Sequence, residues 1–156
     1  VQAAERETVS TPEIIIRFDR LDHDYSPGQT LSGEYRVEGI EPEQVAAVEV
    51  SVVWYTEGKG DHDMAVHEFW RNDFDRGEVL VPNRPQRFST ALPLSPLSYD
   101  GQIVKIRWCV RVRVLYQRGK DLVAQKLFSL GDVPPAPPMS EIVEPTKTSV
   151  GKGPEV

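Results

Sequence analysis

Two tripeptides hold most of the side chains in this chain that could do chemistry, Asp22-His23-Asp24 and Asp61-His62-Asp63. Carboxylates beside imidazoles are donors that a divalent ion such as Zn²⁺ or Mn²⁺ accepts. His67 follows the second triplet closely enough to be a further ligand. Neither triplet has the spacing of a known metal motif, and Asp-rich turns are ordinarily solvated loops that hydrogen-bond their own backbone. A metal- or ligand-binding module built on these loops is therefore the alternative reading, and solvated turns are the plainer one.

A second set is Lys105, Arg107, Arg111 and Arg113, four cations at odd positions of the stretch IVKIRWCVRVRVLYQ, residues 103–117. On a chain of net charge −6, such a row could dock an acidic or phosphorylated segment through charge-assisted hydrogen bonds. The competing reading is cross-strand pairing with carboxylates such as Glu34 or Glu49. Cys109 lies in the same row. With no histidine in a recognisable arrangement beside it, it reads as a packed or partly covered thiol rather than a nucleophile. No Ser/His/Asp arrangement with an oxyanion-hole motif, no glycine-rich phosphate loop and no HExxH occurs, so the expectation is a protein that is not an enzyme and needs no cofactor.

The cations are held by the element the whole chain is organised around. Val104, Ile106, Trp108, Val110, Val112, Val114 and Tyr116 occupy the even positions between them. Unbroken period-two alternation with β-branched residues on one face is a strand, its apolar face in a core and its charged face outward. Residues 120–130 form its hairpin partner across Gln117-Arg118-Gly119-Lys120. Upstream, residues 13–21, 30–37, 45–56 and 87–92 alternate in the same way. Residues 65–71 are strand-like with apolar side chains that do not sort to one face, and residues 78–81 read as a short strand. Pro27-Gly28 fits the centre of a type II turn, and a short helical turn is expected at 42–45. Trp54, Trp70 and Trp108 read as core.

Seven or eight strands separated by turn signals predict an all-β, antiparallel immunoglobulin-like sandwich over residues 13–132. Residues 1–12 read as a loose arm. Residues 133–156 are rich in Pro, Gly, Ser and Thr and read as an extended tail or stiff linker, with Pro134-Pro135-Ala136-Pro137-Pro138 the segment an SH3-like groove could take. The net charge excludes general binding of nucleic acid or anionic membrane. No apolar run is long enough to span a bilayer. The single cysteine forbids an internal disulfide and points to a cytoplasmic setting.

Two segments resemble a known family. Tyr25-Ser26-Pro27-Gly28-Gln29-Thr30-Leu31-Ser32-Gly33 is similar to the Y-x-P-G-x-x-(L/V)-x-G motif joining the first two strands of arrestin-type domains. Phe88-Ser89-Thr90-Ala91-Leu92-Pro93, followed by Pro96-Leu97-Ser98-Tyr99-Asp100-Gly101, resembles their F-x-F-x-L-P…P-x-S-(Y/F)-x-G segment. Order and spacing agree over residues 14–130. Arrestins carry two such sandwiches, and this chain has room for one. Their charged polar core and receptor-binding finger loop have no match here, so receptor binding is not carried over. The resemblance implies a single arrestin-like sandwich of adaptor type that binds another protein, a second copy of itself included, and takes no small-molecule substrate.

Overall fold

Alternation over residues 103–117 becomes the long central strand of the fold. A computed structural model describes residues 11–75 and 77–131. Among these, nine strands run in the order β1 (Glu13–Phe18), β2 (Asp24–Tyr25), β3 (Thr30–Glu38), β4 (Val45–Gly58), β5 (Met64–Asp73), β6 (Gln86–Ala91), β7 (Tyr99–Asp100), β8 (Val104–Tyr116) and β9 (Leu122–Leu130). A single 3₁₀ turn, Pro42–Gln44, leads into β4. The strands form two sheets, β1-β3-β6 and β2-β9-β8-β4-β5, with β7 also paired to β8. All pairings are antiparallel except that of the two-residue β2 with β9. The all-β sandwich expected from the alternation is the observed architecture. Residues 1–10 and 132–156, which include most of the expected arm and tail, lie outside the described residues.

The core lies between the sheets. Val48, Val50 and Val52 of β4 and Trp108, Val110, Val112 and Val114 of β8 meet Ile14, Ile16, Leu31 and Val37 of the smaller sheet. Phe18, Tyr25 and Phe128 close one end as mutually edge-on rings with centroids 5.7–6.4 Å apart, the geometry their quadrupoles favour. Trp54 and Trp70 pack partly buried against this core.

Two expectations need correction. Parity puts Val104 on the core face, yet it is 38% exposed. It stands on the last rung of the β4–β8 ladder opposite Gly58, which offers no side chain to cover it. Residues 78–81 form no strand; Leu80 alone is buried while Val79 and Val81 point outward, and Pro82 interrupts any ladder. The unsorted apolar residues of β5 have a cause in a β-bulge. The register passes from Val52↔Glu68 to Val53↔Val66, leaving His67 as the extra residue and reversing the parity beyond it.

The two arrestin-like motifs meet in space. Gln29 N–H donates to the Ser26 carbonyl (3.0 Å), closing the Pro27-Gly28 turn, and Gly28 takes φ +81°, the value a type II turn demands at that position. Gly28 N–H then donates to the Leu92 carbonyl (3.1 Å), and Leu92 N–H donates to the Gln29 carbonyl (2.9 Å). Further on, Ser98 binds β9 twice: its N–H donates to the Leu130 carbonyl (2.8 Å), and its Oγ accepts from Leu130 N–H (2.8 Å). Trp108 Nε1–H donates to the Pro96 carbonyl (2.8 Å). The motif residues fasten loops to strands, so their work is architectural.

Candidate interaction face

The Asp/His triplets share one end of the sandwich but sit on opposite flanks. Asp24 opens β2, the outermost strand beyond β9, while Asp61-His62-Asp63 lies in the β4–β5 connection. Strands β9 and β8 intervene, a separation of about 14 Å at roughly 4.8 Å per strand. Among the described residues no three potential metal ligands come together. Each triplet instead organises its own turn. Asp22 Oδ1 accepts from Asp24 N–H (3.1 Å), His23 adopts φ 56° with its ring edge-on to Phe18, and Asp63 N–H donates to Thr56 Oγ1 (2.9 Å). His67 Nε2–H donates to the Ala91 carbonyl (2.8 Å), so the bulge of β5 clasps the edge of the opposite sheet at β6.

The cation row lies on the outer face of the six-stranded sheet, where the alternation put it. Three members hold carboxylates: Lys105 Nζ lies 3.3 Å from Asp100 Oδ1, Arg107 lies 3.6 Å from Glu57 and 3.7 Å from Asp100, and Arg113 lies 2.6 Å from Asp121 Oδ2. Pairing is thus the rule, with different partners from those expected. Glu34 belongs to the other sheet. Glu49 does stand opposite Arg113 in register, but Arg71 of β5 takes it at 2.7 Å. Arg111 is the exception. Among the described residues it has no carboxylate within ion-pair distance, and its guanidinium donates to Gln125 Oε1 (3.2 Å) and to Met64 Sδ (3.5 Å).

Beneath Arg111 runs a feature that strand parity in β8 alone does not show. Register aligns Val66, Val53, Cys109 and Leu127 in one row across β5, β4, β8 and β9, and Phe69, Ser51, Arg111 and Gln125 in the next. Val53 and Cys109 are 1% and 0% exposed although they face away from the inter-sheet core. Met64, Val66, Phe69 and Leu127 lie in their own or the adjoining rows and Val123 one row further on, each 47–58% exposed. The outer face is therefore an apolar patch with an arginine across its middle. The one sign of it in the sequence is that β9 is apolar on both faces, Val123 and Leu127 as well as Leu122 and Phe128.

Burial raises the Cys109 thiol to about 11, an effect Arg111 only partly offsets. Thiolate is the reactive form, so iodoacetamide at pH 8 should label the native protein very slowly and the denatured protein readily. Native labelling at the rate of a free thiol would show that the row over Cys109 opens to solvent.

No helix among the described residues is long and apolar enough to cross a membrane. No protein-family model and no curated protein sequence matches the chain. Among solved structures it is similar to Spo0M, the sporulation control protein of Bacillus subtilis, with a TM-score of 0.57 at 14% sequence identity. The likeness covers 80% of this chain and 51% of that one, so this chain spans about half the length of that structure. At that identity the likeness is one of fold, and the fold shared is the arrestin-like β-sandwich that the two motifs imply.

Proposed function

We propose that this domain is a non-catalytic, adaptor-like protein-interaction module whose binding surface is the outer face of the six-stranded sheet. One observation carries the reading: five half-exposed apolar side chains share a single sheet face with an arginine that has no carboxylate partner among the described residues. Contiguous exposed apolar surface rimmed by polar residues marks interaction sites, and arginine is among the residues that most often anchor them. The adaptor role is an analogy of fold, and the single buried thiol suits a cytoplasmic setting.

Arg107→Glu combined with Arg111→Glu tests this reading. Both side chains face outward, and exposed ion pairs contribute under about 1 kcal/mol each, so the fold should persist. Association with an acidic partner should slow and lose most of its salt dependence, because steering by exposed charge is screened within about 8–10 Å at physiological salt. Affinity capture from the native source that returns the same partners with the variant as with the wild type would place the binding face elsewhere.

A further inference from the structure

Resting on the reading of this face as the binding surface, we infer that its occupant is a second copy of the chain, joined outer sheet to outer sheet about a twofold axis. Three observations point to self-pairing. The first is area. The β5-β4-β8-β9 face is four strands wide and about ten residues long, roughly 19 by 33 Å at the usual spacings. That is about 600 Å² in projection and more in accessible surface, close to the ~800 Å² per partner of a standard interface.

The second is charge. The chain carries −6, which opposes the approach of two copies over most of their surface. On this face Lys105, Arg107 and Arg113 are each matched by a carboxylate. The excess positive charge of Arg111 is balanced by the Arg71 group, where Glu49 and Asp73 flank a single guanidinium. The face is near neutral as a whole, with a cationic centre and an anionic flank. A near-neutral face is where two copies of charge −6 meet least repulsion, which favours a self-paired, isologous contact there.

The third is shape. Two sheets stack face to face about 10 Å apart when the facing side chains interdigitate. Met64, Val66, Phe69, Val123 and Leu127 stand half-exposed on this face, and side chains that project in this way can interleave with those of a rotated copy.

Sedimentation velocity of the full chain from low micromolar to about 1 mM, beside Val66→Lys with Leu127→Lys, tests the proposal. The wild type should pass from monomer to dimer with rising concentration, and the double variant should remain monomeric while its far-ultraviolet circular dichroism is unchanged. Should the double variant fail to fold, Phe69→Ser replaces it, with at least tenfold weaker dimerisation expected. Arg17→Glu, on the other sheet, is the control and should dimerise as the wild type does. A wild-type chain that stays monomeric throughout overturns the self-pairing and leaves the face itself to the capture experiment with the Arg107/Arg111 reversal. A dimer that survives in the folded face variant overturns the placement of the interface.

Discussion

Val112→Asp should abolish cooperative folding, while Arg111→Asp and Arg113→Asp on either side of it leave a protein that melts cooperatively. Val112 is fully buried and stands between Val50 on β4 and Ala124 on β9, so no cation stands directly opposite a carboxylate there. Burying a charge without a partner costs several kcal/mol against a total stability of about 5–15 kcal/mol. Val110 is as deeply buried, but Lys126 lies opposite it and could rescue an aspartate, so Val112 makes the sharper test. The flanking arginines project to the other face, where the losses are a carboxylate contact at Arg113 and the cover over Cys109 at Arg111. Thermal melts of the three variants decide it: equal behaviour at all three positions would mean that the two faces of β8 are wrongly assigned.

Gly33→Val should lower the melting temperature by about 10 °C or more, and Gly28→Asn should change it little. Gly33 lies in the middle of β3 between Phe18 on β1 and Phe88 on β6. A Cβ there would overlap the Arg17 carbonyl oxygen and come within 2.8 Å of the Phe88 ring. The first obstacle is backbone, which cannot turn aside as a side chain can. Overpacking of this kind costs about 1–3 kcal/mol or more, and each kcal/mol moves the midpoint of a domain this size by several degrees. Gly28 is required for a different reason. Nothing lies within 4 Å of where its Cβ would be, but its φ of +81° suits only glycine and, less well, asparagine. Differential scanning calorimetry of both variants separates the two causes, close approach at Gly33 and backbone conformation at Gly28. A well-tolerated Gly33→Val would mean that β1 and β3 can spread apart at that rung.

Much of the fold was legible because period-two alternation depends only on the chain and its solvent. Residues that alternate between apolar and charged over a dozen positions leave one arrangement that buries the first set and wets the second. That is why β1, β3, β4, β6 and β8 lie where alternation puts them, and why Trp108, Val110, Val112 and Val114 are core. The Pro27-Gly28 turn was legible for a similarly local reason, the φ preferences of two residues. Where alternation was interrupted, local reasoning lost its hold. The bulge at His67 reverses the parity of β5, and nothing short of the pairing with β4 shows on which side Met64, Val66 and Phe69 emerge. Leu80 is buried with no strand to carry it, because a loop can press one side chain into a core without joining a ladder.

The candidate site divides along the same line. Sequence alone determined that Lys105, Arg107, Arg111 and Arg113 share a face, since strand geometry makes that a property of odd spacing. Only the tertiary structure decided which of them are already paired, because Asp100 reaches them from β7, Asp121 from the turn before β9, and Arg71 takes Glu49 from the next strand. Two triplets of the same composition looked equivalent in the chain; strand order set them about three strand spacings apart, since a sheet's lateral order is chosen by packing across the whole domain. The apolar patch is tertiary in the fullest sense. Its rows draw one residue from each of four strands, and such a row exists only once the registers are set.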